Sequence, residues 1–344
     1  MPREFIAVEK EQVAFGDYDS PTLHPDQIRV RTRFAAAKHG TEMAIYKGYA
    51  APRGRYDPTY QLFRAEEAGI RYPVGLGNIA VGEVVEVGAE VRQFQLGDQV
   101  FRYAPFREEH VWTADSARRL PDGVPWQAAV CLDPADFALG ALRDGNVRIG
   151  DAVAVFGMGA IGLLAVQLAK LAGAYPVIAV DPLENRRAAA TVCGADLIID
   201  PANQDAGLVI KQATNKRGAD VCIEYSGHYL ALQVALRSVA YLGTVVAGAW
   251  PSAYPAGLDF GAEAHMNRPK IVFSRSCSEP NPDYPNWDEM RLFAVCWRLL
   301  SEGRLNCEPI VQPIVNFEDL LVEYPKIATN PNENIKLGVR FPTT

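Results

Sequence analysis

The stretch VAVFGMGAIGLLAVQLAK, residues 153–170, constrains the fold more than any other part of the sequence. A short apolar run of strand-forming residues leads into Gly157, Gly159 and Gly162, and an apolar stretch of helical length follows directly. This order, with G-x-G-x-x-G spacing, predicts a dinucleotide-binding βαβ unit. Gly157 permits the tight turn, Gly159 lets a pyrophosphate approach the backbone, and Gly162 allows the helix to pack closely against the strand.

The next apolar strand, VIAV, ends at Asp181, about 20 residues further on, where dinucleotide-binding domains carry an acid for the ribose hydroxyls. A carboxylate there repels a 2′-phosphate, so NAD is expected and NADP is less favoured. Arg186 is also compatible with NADP as the cofactor, since a guanidinium can bind a phosphate or stack on adenine. The residues expected to bind the cofactor are Gly157, Met158, Gly159, Ala160, Ile161, Gly162, Asp181, Arg186, Ser226 and Gly248.

Strands alternate with helices throughout the middle of the chain, which predicts a doubly wound parallel sheet. The first third instead contains short strands interrupted by Gly and Pro, and the tail returns to a strand, a helix and a closing strand. The fold class is therefore α/β with two domains. The predicted boundaries are residues 1–133 with 280–344 for the β-rich domain, and residues 134–279 for the NAD-binding domain.

Composition excludes several classes of protein. A chain of 344 residues is long enough for two domains, and its net charge of −7 argues against a nucleic-acid partner. The N-terminus has no signal-peptide core and no apolar stretch spans a bilayer, so a cytoplasmic protein without a membrane partner is expected. None of the six cysteines forms a CxxC pair and none precedes Cys131, which excludes a structural zinc cluster there and predicts buried free thiols.

With these motifs placed, the chain resembles the medium-chain dehydrogenase/reductase superfamily, of the zinc alcohol dehydrogenase type. GDAVAVFGMGAIGLLAVQLAKLAGA carries the resemblance, supported by GDQVF before it and by IEYSG and GTVVAGA after it. The resemblance covers nearly the whole chain. It implies a GroES-like β-rich catalytic domain, an inserted Rossmann domain, and a homodimer or homotetramer joined through the Rossmann sheets.

The family's catalytic zinc ligands are replaced in this sequence. The position of the first ligand holds His39 in HGTE, that of the second holds Asn78 in GNI, and that of the third corresponds to Asp133 in CLDPADF. The histidine of the family's proton relay falls at Ala44. A neutral amide oxygen is a poor zinc ligand, so the chain is expected to belong to a branch without catalytic or structural zinc.

Without a metal, a side chain must take the proton of the substrate hydroxyl. His39 is a candidate general base because an imidazole titrates near neutral pH. Asp133 or Glu42 would then orient it, and Thr41 would relay a proton. The alternative is that His39 only fills the space of the lost metal, and the sequence leaves both possibilities open. His110, beside Arg107-Glu108-Glu109, is expected at the surface.

These features together predict an NAD-dependent dehydrogenase of a secondary alcohol, with a sugar, a cyclitol or another hydroxylated small molecule as substrate. Two alternatives stay open. One is a zinc-free NAD(P)H-dependent reductase of activated C=C bonds in quinones or enones, which Asp181 disfavours. The other is a non-catalytic NAD-binding protein that lost its chemistry together with its metal.

Overall fold

A computed structural model of the chain describes residues 1–49, 54–64, 70–275 and 286–342. The chain forms two compact units, residues 1–130 with 311–344 and residues 131–310. Five of the six cysteines lie in described segments, and each is a buried free thiol, as expected. Cys277 lies outside the described residues.

The first unit is β-rich, and its elements are numbered along the chain. Its strands are β1 (Arg3–Glu9), β2 (Gln12–Asp17), β3 (Gln27–Ala36), β4 (Arg55–Asp57), β5 (Leu62–Arg64), β6 (Val74–Gly75), β7 (Ile79–Val87), β8 (Gln99–Tyr103), β9 (Glu109–Thr113), β10 (Arg118–Arg119), β17 (Ile314–Asn316) and β18 (Gly338–Arg340). Its helices are α1 (His39–Tyr46), α2 (Trp126–Val130) and α10 (Leu320–Thr329).

The main sheet of this unit has the order β10-β8-β7-β3-β18-β17, and β9 also pairs with β3. Strand β3 follows the alternation of its sequence, because Ile28, Val30 and Thr32 are buried while their neighbours are partly exposed. The closing strand β18 pairs antiparallel with the end of β3, with Gly338 opposite Ala36. This pairing places the C-terminal segment beside residues 37–39, where α1 begins.

The second unit alternates strands and helices. Its elements are α3 (Leu132–Asp144), β11 (Val153–Phe156), α4 (Ala160–Leu171), β12 (Val177–Val180), α5 (Glu184–Val192), β13 (Leu197–Ile199), α6 (Ala206–Ala213), β14 (Ala219–Glu224), α7 (Tyr229–Ser238), β15 (Val239–Ala247), α8 (Glu263–Asn267), β16 (Lys270–Phe273) and α9 (Glu289–Ser301). Within the described segments the strands form a parallel sheet in the order β13-β12-β11-β14-β15-β16. The order reverses between β11 and β14, which is where a doubly wound sheet binds its ligand.

The second compact unit ends at residue 310, whereas the predicted NAD-binding domain ends at residue 279, and the domain boundaries stay a prediction. Helix α9 accounts for the difference, because it packs against α3 in the second unit. Periodicity alone predicts that α9 is a helix, but it does not tell which sheet or helix its apolar face covers.

His110 is buried, so its predicted place at the surface is wrong. It is 7% exposed, and its ring stacks on Trp112 with centroids 5.1 Å apart. Both side chains point to the core because they are two residues apart on β9. The alternation of the strand determines which side chains are buried, and the charged residues that precede His110 in the sequence do not. Within the described residues, no helix has the length and apolar character needed to cross a bilayer.

Candidate active site

The glycine loop after β11 has the geometry of a dinucleotide-binding turn. Gly157 has a φ of +91°, and a side chain there would lie 2.6 Å from the backbone nitrogen of Ser226. A Cβ on Gly162 would lie 1.9 Å from the carbonyl oxygen of Gly157. In contrast, a Cβ on Gly159 would meet nothing within 4 Å. The packing of the protein therefore requires Gly157 and Gly162, whereas Gly159 leaves open space beside the N-terminus of α4.

Met158, Ala160 and Ile161 complete this loop. The backbone of Met158 donates to the carboxylate of Asp181, while Ala160 and Ile161 form the first turn of α4. The first N–H groups of a helix have no partner inside the helix and attract anions. The structure thus places the whole predicted phosphate-binding segment at one helix N-terminus.

The carboxylate of Asp181 is held by two backbone amides. Its Oδ2 accepts from Met158 N at 2.7 Å, and its Oδ1 accepts from Leu183 N at 2.8 Å. One oxygen thereby binds the loop after β11 and the other binds the loop after β12. Since each carboxylate oxygen has two acceptor positions, one remains on each oxygen for a further donor.

Two arginines lie next to Asp181. Arg187 donates to the Asp181 carbonyl oxygen at 2.9 Å and pairs with Asp200 at 3.2 Å. Arg186 Nη1 lies 3.8 Å from Asp181 Oδ2, and burial lowers the pKa of this guanidinium. Asp181 itself is only 2% exposed.

The turn after β14 is organised by Glu224, which sequence reasoning missed. Its Oε1 accepts from the backbone of Ser226 at 2.6 Å and of Gly227 at 3.0 Å, and also from Ser226 Oγ. Burial raises the pKa of this carboxyl. The turn brings Ser226 against Gly157, at the point where the strand order reverses. An acid that ends a largely buried strand is the signal in the sequence that points to such a role.

Gly248 follows β15 and lies at the same edge of the sheet. Its N–H donates to the Glu224 carbonyl oxygen at 3.0 Å. A Cβ at this position would lie 2.4 Å from the ring of Tyr225, whose hydroxyl donates to the Phe137 carbonyl oxygen at 2.8 Å. Gly248 is therefore needed for the packing of Tyr225.

The catalytic candidates fall in both units. His39, Thr41 and Glu42 share the short helix α1 of the first unit. Asp133 lies in the first turn of α3 in the second unit and is 7% exposed. His39 Nε2 accepts a hydrogen bond from the backbone N–H of Leu337 at 2.9 Å. Thr41 is half-buried.

Glu42 is buried in a set of donors. One oxygen accepts from the backbone N–H of Lys38, and the other accepts from the Tyr324 hydroxyl at 2.8 Å. The Gly77 amide also donates to it, and the charge of Lys336 acts on it. Burial nevertheless raises the pKa of Glu42 above its ordinary value. These contacts tie the start of α1 to α10 and to the strand-forming C-terminal segment, which indicates a structural role.

The donor set does not fit a zinc ion. A neutral imidazole has one lone pair and one N–H, and a histidine that binds a metal donates its other nitrogen to an acceptor. His39 instead faces the N–H donor of Leu337, so Nε2 uses its lone pair there and Nδ1 carries the proton. Asn78 offers only a neutral amide. Within the described part of the chain, no three His, Cys, Asp or Glu residues are grouped so as to hold a metal ion.

Comparison with known proteins agrees with this fold. The family model described as alcohol dehydrogenase GroES-like domain matches residues 24–119, and that described as zinc-binding dehydrogenase matches residues 160–291. D-guloside 3-dehydrogenase of Escherichia coli K12 is 42% identical over 98% of this chain and 100% of its own length. The chain belongs to the medium-chain dehydrogenase/reductase superfamily.

Other members of the superfamily are more distant. L-threonine 3-dehydrogenase of Pyrococcus abyssi is 27% identical over 90% of this chain and 91% of its own length. The crystal structure of 2R,3R-butanediol dehydrogenase from Bacillus subtilis superposes with a TM-score of 0.77, at 21% identity, over 99% of both chains. The predicted fold class and the predicted enzyme class, an alcohol dehydrogenase-type oxidoreductase acting on CH–OH groups, are confirmed.

Proposed function

We propose that this medium-chain dehydrogenase oxidises a secondary hydroxyl of a sugar or a sugar-like compound with NAD and without zinc. The observation that carries the proposal is the carboxylate of Asp181, held in place by the amides of Met158 and Leu183 beside the glycine loop. The 42% identical relative supports the substrate class, because its name is that of a dehydrogenase acting at position 3 of a D-guloside.

The second unit would bind NAD through residues described above. The open space at Gly159 and the N-terminus of α4 suit a pyrophosphate, and the free acceptor positions of Asp181 suit the two hydroxyls of a ribose. When bound, NAD takes up the hydride from the carbon that carries the hydroxyl. Because Asp181 is only 2% exposed and Arg186 lies beside it, we expect Arg186 to move when the ribose enters.

A phosphate on the ribose 2′-oxygen would meet the negative charge of Asp181. Arg187 does little to compensate the repulsion between this phosphate and Asp181, since it already pairs with Asp200 and donates to the Asp181 carbonyl oxygen. At a separation near 5 Å and an effective dielectric constant near 20, two unit charges repel by about 3 kcal/mol. NAD is therefore favoured over NADP.

The proton of the substrate hydroxyl needs an acceptor among the side chains. Glu42 is unsuitable because both of its oxygens already accept hydrogen bonds from Lys38 and Tyr324. Thr41 is too weakly basic to act alone. Two candidates for the general base remain, Asp133 in the first turn of α3 and His39, whose Nε2 accepts from the Leu337 N–H at 2.9 Å.

The test is a substrate screen with the purified enzyme. Glycosides, free sugars, cyclitols and simple secondary alcohols are each offered with NAD and with NADP, and reduction of the nicotinamide is followed at 340 nm. We expect turnover of a sugar-type substrate with NAD, retained after dialysis against a chelator. Turnover that is lost on chelation and restored by zinc would refute the zinc-free mechanism. Reduction of quinones or enones as the dominant activity would replace the proposal with the C=C reductase alternative.

The oligomeric state and the compartment stay predictions. A homodimer or homotetramer is expected, and light scattering of the purified protein measures it directly.

A further inference from the structure

Glu224 lies at the carboxyl edge of the parallel sheet in the second unit. It is the last residue of β14 and pairs in register with Phe156 of β11 and Ala247 of β15. Phe156 directly precedes Gly157, so Glu224 lies beside the strand that leads into the glycine loop. The carboxylate stays at this edge, because it accepts from the backbone of the turn that follows β14.

The two carboxylate oxygens of Glu224 have different surroundings. Oε1 accepts from the Ser226 amide at 2.6 Å, from the Gly227 amide at 3.0 Å and from the Ser226 hydroxyl. No donor in the described part of the chain reaches Oε2, although the residue is only 1% exposed. The same oxygen is not sealed off from solvent. Oε2 is therefore an acceptor that the protein leaves open to a ligand.

The protein stabilises the charge of this carboxylate incompletely. Donors of Ser226 and Gly227 lower the pKa of Glu224, but burial outweighs them and raises the pKa above its ordinary value. All of these donors bind Oε1. A hydroxyl group that donates to Oε2 would offset part of the cost of burial, because a hydrogen bond to the ionised form stabilises that form.

The topology of the sheet indicates which hydroxyl this is. A dinucleotide crosses such a sheet where the strand order reverses, with one nucleotide over each half. The glycine loop and Asp181 belong to the half formed by β11, β12 and β13, and Asp181 is the residue proposed for the adenosine ribose. The nicotinamide nucleotide then lies over the half that begins with β14. Glu224 ends the strand of that half that is adjacent to β11.

We propose that Glu224 binds the cofactor, with Oε2 accepting a hydrogen bond from a hydroxyl of the nicotinamide ribose. The inference rests on the proposed function and adds one residue to its NAD site. Glu224 repeats the arrangement at Asp181, where a carboxylate follows a strand, accepts from backbone amides and keeps acceptor positions for a ribose. The two carboxylates thus hold the two riboses on opposite sides of the pyrophosphate.

Replacement of Glu224 by Gln changes one atomic position and keeps the turn. Ser226 and Gly227 supply three donors around Oε1, which require the amide oxygen of the glutamine there. The NH2 group then occupies the place of Oε2, so an acceptor becomes a donor. The matched control is Asp220→Asn, because Asp220 lies near the opposite end of the same strand and accepts from the Ala152 amide at 2.8 Å.

Calorimetric titration measures the Kd of each protein for NAD, ADP-ribose and ADP. ADP-ribose keeps both riboses but lacks the nicotinamide ring, and ADP lacks the second ribose as well. We expect Glu224→Gln to raise the Kd for NAD and for ADP-ribose about tenfold, because a charge-assisted hydrogen bond is about twice as strong as a neutral one. The Kd for ADP should stay within about twofold of wild type, and Asp220→Asn should leave all three values within the same range.

Three results would overturn the proposal. Equal weakening of all three ligands in Glu224→Gln would show that Glu224 acts only by shaping the turn. Weaker binding of NAD without weaker binding of ADP-ribose would assign Glu224 to the nicotinamide ring and not to its ribose. An unchanged Kd for both NAD and ADP-ribose would mean that Oε2 binds neither group.

A crystal structure of the wild-type protein with ADP-ribose decides the same question if Glu224→Gln does not fold. We expect Oε2 within about 3 Å of a hydroxyl of the ribose that carries no adenine, and a separation beyond about 4 Å would refute the contact. None of these experiments needs a substrate. Failure of the wild-type enzyme to oxidise any sugar hydroxyl would therefore refute the proposed function alone, while the binding data still decide the role of Glu224.

Discussion

Replacement of Asp181 by Asn tests the cofactor site most directly. The carboxylate accepts from Met158 and Leu183 with its two oxygens, whereas an amide keeps one oxygen and gains an NH2 group. One of the two backbone donors then faces another donor, which costs about 1–3 kcal/mol of stability. The ribose loses one charge-assisted acceptor, worth about 1.5–3 kcal/mol, so that the Kd for NAD should rise about 10- to 150-fold. The Kd for NADP should stay constant or fall, because the repelling charge is removed.

The matched control is Asp196→Asn. Asp196 also accepts from a backbone amide of β12, that of Val177 at 2.7 Å, but at the opposite end of the strand from Asp181. Both variants should unfold at lower temperature by calorimetry, and only Asp181→Asn should weaken NAD binding by titration. A Kd for NAD within threefold of wild type in Asp181→Asn would refute this assignment of the ribose site. A wild-type enzyme that binds NADP more tightly than NAD would refute it as well.

Three further changes test the packing around the two candidate sites. Gly162→Ala should both weaken NAD binding and lower the melting temperature, because its Cβ would lie 1.9 Å from a carbonyl oxygen. Gly159→Ala has open space at Cβ, so in the same titration and melting assays it should weaken NAD binding only. Tyr324→Phe should lower the free energy of unfolding by about 1–3 kcal/mol in urea titrations. Burial raises the folded-state pKa of Glu42, so stability falls as pH rises through that pKa. Because the Tyr324 hydroxyl favours the carboxylate form, this fall should extend to higher pH in Tyr324→Phe than in wild type, and an identical pH dependence would contradict this. Burial, followed by the charges of two nearby arginines, lowers the pKa of His110 to about 3. The unfolded chain therefore binds a proton at higher pH than the folded chain does, and stability falls as pH drops below about 6.5. In denaturant titrations at several pH values, His110→Phe should remove up to about 1.4 kcal/mol per pH unit of this slope, and an unchanged slope would contradict the assignment.

The cofactor half of the candidate site follows from local sequence patterns. Gly157, Gly162 and Asp181 lie within one βαβ unit, so their spacing along the chain already determines that they meet at one edge of the sheet. The sequence also predicts the order of strands and helices there. It does not predict that Asp181 binds both neighbouring loops, since that depends on side-chain rotamers and not on spacing.

The first unit is harder to predict because its decisive contacts join distant parts of the chain. Glu42 meets the hydroxyl of Tyr324, and His39 meets the amide of Leu337, across almost the whole sequence. Tyr324 and Lys336 belong to no motif, and a backbone amide leaves no trace in the sequence. The choice between base and filler for His39 is therefore one that the sequence leaves open.

Buried groups around α1 connect the stability of the first unit to the proposed chemistry. Glu42 and Lys336 are charged residues in a region almost closed to water, and such groups are tolerated only when hydrogen bonds satisfy them. Lys336 does so through the Ala37 carbonyl oxygen, and the next residue, Leu337, supplies the amide that fixes His39. A change at Lys336 is therefore expected to disturb the hydrogen bond from Leu337 to His39 as well as folding. The C-terminal segment, far from any cofactor motif along the chain, thereby holds a candidate catalytic residue in place, because His39 Nε2 accepts from the Leu337 N–H.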